Sequence, residues 1–328
     1  MHIIRKNEKF THIMYITNLN NDYNYILKLP KYLDEIDNID YEYYIYTLIK
    51  HKSFKSFTSI YTINNLDKDT IINLPKLNIN IIEIFPELIT QKRKIQEELE
   101  KPNKISFLFG DYNPNMITLF DLVKSIYNSQ VIISIYRELL ILKEELFLEY
   151  GFVHGDLKSN NILVDKYDAL NDIQFIDFEF SIIFKDNKKI KMEDKYLINL
   201  YLQMPDNFEI TDEFGRLFDI YMICIDLCNN FNYKILQIIN KLNKLFDNSE
   251  NEIDIKYLNN SFIDFYIILL NLKEVKKIEF IDQKKNCINM KFHSIIKNLS
   301  NIKIPVNSIN LIKKRADYIS DILKNLKY

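Results

Sequence analysis

Along the first third of the chain, apolar and polar positions change places at short intervals. From about residue 118 onward they settle into a spacing of three and four. EKFTHIMYITN and NYILKL are rich in β-branched and aromatic residues, and NLNND between them reads as a turn, which predicts two strands. IDYEYYIYTLIKH follows as a helix, with Asp40 as its N-cap and Ile45, Leu48 and Ile49 at helical spacing. SFTSIYTIN, INIIEIF and KISFLFGDY are further strands. The mixed charge run QKRKIQEELEKPNK reads as a solvated helical piece within an insertion near residues 64–104. After the turn-rich GDYNPNM the pattern becomes helical, in TLFDLVKSI and then VIISIYRELLILKEELFLEY, where Ile132, Ile135, Leu139, Leu142 and Leu146 form an apolar stripe. Two short strands, NILVD and IQFIDF, precede helical patterns that run to the end. The expected layout is α+β: a β-rich part over residues 1–110, a hinge between Phe109 and Asn115, and a larger helical part over residues 111–328.

Composition narrows this picture only modestly. At 328 residues, 47% apolar and 27% charged, the chain is long enough for a sizeable core and has a soluble globular balance. Its 43 basic and 45 acidic residues nearly cancel, which gives no reason to expect nucleic acid as a partner. Asn, Ile, Lys and Tyr are abundant and have AT-rich codons, so that bias reflects the genome. Cys224 and Cys228 lie four apart in the apolar IYMICIDLC, Cys287 is alone, and the nearest histidine, His293, is remote. Buried reduced thiols in a reducing compartment are the simpler reading than a metal site. MHIIRKNEKF is too charged for a signal peptide, and no run reaches the roughly 18 apolar residues of a membrane span, so the expected location is the cytosol, with no membrane partner.

One stretch concentrates chemistry. HGDLKSNNIL, His154 to Leu163, sets a histidine, an aspartate, a lysine and two asparagines between apolar runs, with Gly151 and Gly155, two of only four glycines, around it. An aspartate alone in a loop is ordinarily a turn or cap residue. Asp156 has His154 two residues before it and Asn161 five after, a combination with a chemical meaning of its own.

His154-Gly155-Asp156-Leu157-Lys158-Ser159-Asn160-Asn161 resembles the catalytic loop of the protein-kinase superfamily, and Ile176-Asp177-Phe178-Glu179, 21 residues later, stands where that family has D-F-G. Phe218-Asp219-Ile220-Tyr221 resembles the start of the buried helix that braces the loop. Lys28 ends YILK as the family's strand lysine does, and Glu42 on the following helix is its partner, with Glu35 as the alternative. The resemblance covers roughly residues 1 to 235 in the family's order, in the style of the divergent kinases of large DNA viruses with AT-rich genomes. It implies a bilobal protein-kinase-like fold and transfer of phosphate from ATP, with Mg2+, to Ser/Thr hydroxyls of a protein substrate. In those terms Asp156 is the base that orients the acceptor hydroxyl, and Lys158 meets the transferred phosphate. Asn161 and Asp177 hold magnesium, and Lys28, fixed by Glu42, contacts the α and β phosphates. His154 packs against Phe178, and Asp219 braces backbone amides. If the source is viral, the enzyme is one that a particle could carry.

The departures from the family pattern define the alternatives. No glycine precedes Gly110, so a turn such as Lys6-Asn7-Glu8 stands in for the Gly-rich loop. Ile26 takes the place of the alanine over the adenine, and Met204-Pro205-Asp206 stands where the family has A-P-E. Gly155 replaces an arginine, which removes a partner for phosphate on an activation loop. Glu179 replaces the last glycine of D-F-G, as in choline-kinase-like enzymes. A small-molecule kinase of the choline or aminoglycoside type, and a pseudokinase scaffold, are the two other readings.

Overall fold

The computed structural model describes residues 2–7, 11–17, 24–30, 36–49, 59–63, 71–74, 77–80, 105–111, 113–126, 128–185, 188–191, 210–247 and 260–276. The chain divides into two compact units, residues 1–115 and 116–328. Both mix helices with small antiparallel sheets. Glu8, Glu35, residues 91–104, Met204-Pro205-Asp206, Cys287 and His293 lie outside the described residues.

In the first unit, strands β1 (His2–Asn7), β2 (Thr11–Thr17), β3 (Asn24–Pro30), β4 (Ser59–Ile63) and β7 (Ile105–Asp111) form one antiparallel sheet in the order β1-β2-β3-β7-β4. Strands β5 (Ile71–Leu74) and β6 (Leu77–Asn80) make a separate hairpin inside the insertion. The register sets Leu27 opposite Phe109 and Lys28 opposite Leu108. Helix α1 (Ile36–Leu48) lies against β3, β4 and β7. It begins five residues before the position expected from an Asp40 cap, because Ile39 is a core residue that extends the buried stripe through Glu42, Ile45, Tyr46 and Ile49. Leu48, expected on that stripe, is instead 38% exposed. Asp40 is the fifth residue of the helix and stands within it, not at its cap.

The second unit is built around helices. Strand β8 (Met116–Thr118) leads into α2 (Leu119–Ser125), capped by the Thr118 hydroxyl, which accepts the Asp121 amide at 3.1 Å. Helix α3 (Ser129–Tyr150) follows, capped by Asn128, and all five residues of its expected stripe are buried. It ends at Gly151, whose φ of 63° lets its amide turn back to the Phe147 carbonyl at 2.7 Å. Strands β9 (Phe152–Val153), β10 (Ile162–Asp165), β11 (Ile173–Phe175), β12 (Ile182–Lys185) and β13 (Lys188–Lys191) form two three-stranded antiparallel sheets, β11-β10-β8 and β13-β12-β9.

Helix α4 (Asp212–Asn230) is the hub of this unit. It touches α3, α5 (Asn232–Asp247), α6 (Asn260–Lys276) and β9. Residues 214 to 224 of α4 are buried without a break, as expected of a helix surrounded on every side. Cys224 and Cys228 are among its buried residues and are reduced thiols, with burial pushing Cys224 up. Among the described residues no helix is long and apolar enough to cross a membrane.

Candidate active site

The polar cluster of the sequence occupies the loop between β9 and β10, and its backbone is held by side chains from distant elements. The carboxylate of Asp219 on α4 accepts the amides of His154 at 2.8 Å and Gly155 at 2.9 Å. Gly155 has a φ of 81°, and a Cβ there would stand 2.2 Å from the Phe180 carbonyl oxygen. Glycine is therefore required by conformation and by space. The loop closes with a 3-10 turn, Ser159–Asn161, in which the Asn161 amide returns to the Lys158 carbonyl at 2.8 Å.

Within this frame three predicted residues meet. Lys158 Nζ donates to Asp156 Oδ2 at 2.7 Å, and Asn161 Nδ2 donates to Asp156 Oδ2 at 2.9 Å and to the Asp156 carbonyl at 3.0 Å. The other oxygen, Asp156 Oδ1, is buried without a hydrogen-bond partner. A buried acceptor left unmet costs about 1–3 kcal/mol, so its presence calls for a reason. Burial pushes the Asp156 carboxyl above its ordinary value. Lys158 and Asn161 oppose that shift and the nearby Asp177 carboxylate adds to it.

Asp177 follows β11, which the Ile176 amide ties to the Asn161 carbonyl at 3.1 Å. Its φ of 71° makes it the one residue other than glycine with positive φ among the described residues. Such backbone is tolerated best by Asn and Asp and recurs at functional sites. Phe178 is fully buried and packs edge-on against His154 at 5.4 Å and Phe152 at 5.5 Å between ring centroids.

His154 is structural in its geometry. A neutral ring protonated on Nε2 satisfies both its contacts, donating to the Ile176 carbonyl at 3.0 Å while Nδ1 accepts the Asp156 amide at 3.4 Å. Burial pushes its pKa down to about 4, against the pull of Asp177 and the backbone carbonyls. Burial acts oppositely on Asp219, raised to about 6 although Lys143 and the two loop amides oppose it.

In the first unit Lys28 and Glu42 form a buried ion pair, with Lys28 Nζ 2.6 Å from Glu42 Oε2 and both side chains at most 3% exposed. Strand β3 and helix α1 are held at this point by charge within an otherwise apolar layer.

Two sets of contacts had no signal in the sequence. The Asp226 carboxylate, two helical turns beyond Asp219, accepts both the amide of Ser159, at 3.1 Å, and its hydroxyl. Deeper, Arg216 donates to Glu144 at 3.2 Å and to Asp264 at 2.9 Å, Lys143 Nζ reaches Glu144 and the Arg216 carbonyl, and Ser261 donates to Glu144. An acid or base on an amphipathic helix reads as solvated until its distant partner is known.

The donor set suits a hard cation at Asn161 and Asp177. Both amide protons of Asn161 are directed at Asp156, which leaves its carbonyl oxygen as the end for a ligand, and Asp177 adds a carboxylate. Among the described residues no three His, Cys, Asp or Glu side chains converge on a common point. Magnesium held by one or two protein oxygens and completed by phosphate and water needs no such cage. No protein-family model matches the chain, and a search of curated proteins gave no significant match.

Proposed function

We propose that the chain is a cytosolic phosphotransferase with a bilobal protein-kinase-like fold, residues 1–110 forming its small lobe and 111–328 its large one. It would transfer the γ-phosphoryl group of ATP to Ser/Thr hydroxyls of a protein substrate. The observation that carries this reading is Asp156: a carboxylate fixed through one oxygen by Lys158 and Asn161, with its other oxygen buried and unmet. An acceptor hydroxyl donating to Oδ1 would meet that need and be oriented by the same contact. A carboxyl raised by burial is also a better base near neutral pH than an exposed one.

Lys158 supplies positive charge beside the base, where it would meet the phosphoryl group in transfer. Asn161 and Asp177 would hold Mg2+, which when bound neutralises charge on the phosphates. Lys28, held by Glu42, would contact the α and β phosphates. A small-molecule acceptor is the second reading, favoured by Gly155 and by Glu179, which is buried directly after Phe178.

The test is transfer of labelled γ-phosphate from ATP with magnesium, for wild type and Asp156→Asn. The acceptors offered are mixed protein, the chain itself, and choline and aminoglycosides in separate reactions. Label on protein that falls by about 10²–10⁴-fold in the variant is the expected result. Asp177→Ala is expected to remove magnesium-dependent nucleotide binding, which Asp156→Asn retains. Label on a small molecule alone would select the second reading, and transfer retained in both variants would refute the assignment of the site.

A further inference from the structure

We infer that Asp226 is a second positioning residue for phosphoryl transfer, holding the far end of the loop whose near end is held by Asp219. The inference rests on the phosphotransfer reading of Asp156 given above. Asp219 and Asp226 are seven residues apart on α4, so their side chains leave the same helix face about 10 Å apart along its axis. The first accepts the amides of His154 and Gly155, and the second accepts the amide and hydroxyl of Ser159. Asp156 and Lys158 lie between these two fixed points. One rigid helix thus sets the span of the segment that carries the base.

The local chemistry explains why a distant acid is needed. The turn Ser159–Asn161 begins after Lys158, whose side chain makes no capping hydrogen bond and donates to Asp156 instead. The first amide of the turn would lack an acceptor, and Asp226 provides it in place of a cap from the loop's own sequence. Asp226 is itself fixed: Asn230 Nδ2 donates to Asp226 Oδ1 and to the Asp226 carbonyl, each at 3.0 Å. That leaves Oδ2 directed at Ser159. Because Asn161 is the last residue of the same turn and donates twice to Asp156, a shift at Ser159 would be transmitted to the base within two residues.

The experiment compares wild type with Asp226→Leu, Asp226→Asn and the pair Ser159→Pro with Asp226→Leu. Proline suits position 159, because Lys158 before it is extended (φ −127°, ψ 162°) and the first residue of a turn can dispense with its amide proton. Asp226→Leu is expected to lower kcat by about 10- to 100-fold with the KM for ATP little changed. Asp226→Asn, which keeps an acceptor oxygen, is expected to lie between. The pair is expected to recover most of the loss, since donor and acceptor leave together and nothing buried is unmatched.

Hydrogen exchange supplies a readout independent of activity. In Asp226→Leu the Ser159 amide is expected to exchange faster, while the His154 and Gly155 amides keep their wild-type protection. An unchanged kcat in Asp226→Leu, or a loss that the paired variant does not relieve, would overturn the positioning role. A wild type that transfers nothing would refute the phosphotransfer reading, and with it the catalytic consequence. The brace itself would then be decided by exchange alone, and unchanged exchange at Ser159 would refute it.

Discussion

Two buried polar clusters of the second unit follow opposite rules. Around Arg216, every charge is answered: Glu144, Asp264, Lys143 and Ser261 saturate one another, and none of their side-chain atoms is buried without a partner. Around Asp156, two donors, Lys158 and Asn161, converge on one carboxylate oxygen and still leave Oδ1 unmet. The electrostatics differ in the same sense. At Glu144 burial acts to raise the carboxyl, but Lys143, Arg216 and Ser261 outweigh it and the net shift is downward. At Asp156 burial outweighs Lys158 and Asn161, and the net shift is upward. The first arrangement favours the folded state at neutral pH; the second holds a carboxylate in a state that costs stability. The closed network serves the scaffold, and on the phosphotransfer reading the open one is where an acceptor hydroxyl would donate.

Three experiments test whether the two clusters differ in this way. The largest effect is expected from Arg216→Met, which removes the cation shared by Glu144 and Asp264 and should cost about 3–5 kcal/mol in urea unfolding. A loss under about 1 kcal/mol would show that the network is far less coupled than its geometry implies.

Next comes the acid response of the loop. His154 has a folded pKa near 4, below its ordinary 6.5, so the unfolded chain binds more protons between those values. Stability from this group is therefore present above pH 6.5 and lost as pH falls toward 4. Asp219, raised to about 6, has the opposite sign between about 6 and 3.8 and masks much of this in wild type. The difference between wild type and His154→Gln isolates the histidine. On going from pH 7 to 4, wild type should lose about 3 kcal/mol relative to the variant. A difference that stays flat across that window would mean that the ring takes up its proton as readily in the folded chain as in the unfolded one.

The smallest effect separates the clusters most directly. Asp156→Asn should stabilise the chain by about 1 kcal/mol, since it removes a buried charge that its partners do not fully offset. Destabilisation in urea would place Asp156 with the closed kind of cluster.

How much of this was legible follows from where partners lie. The α3 stripe could be read because five core residues repeat at helical spacing within one segment, and the loop because its polar residues are contiguous. The start of α1 is hidden in the sequence because Asp40 has the chemistry of a cap, and only the burial of Ile39 shows that the helix is already under way. Strand β1 is equally easy to overlook: its charged residues hide a strand whose register is fixed by β2. Asp226, Arg216 and Asp264 carried no local signal, because the groups that give them meaning stand between 45 and 72 residues away. Lys143 reads as a solvated lysine on a helix and is in fact enclosed.

The glycines add a last consequence. Gly151 and Gly155 both have positive φ, and a Cβ on either would strike a backbone carbonyl, of Phe184 at 1.8 Å and of Phe180 at 2.2 Å; Gly215 on α4 faces Val153 and the Phe184 ring. Three of the chain's four glycines therefore line a single seam between residues 151–155 and 180–184. Glycine codons begin with two guanines, which a genome drifting toward A and T erodes at every site where another residue will serve. Three of the four glycines here stand at one place, the seam where the loop carrying Asp156 meets the segment after Asp177, and there the close approach of neighbouring atoms leaves little room for a Cβ.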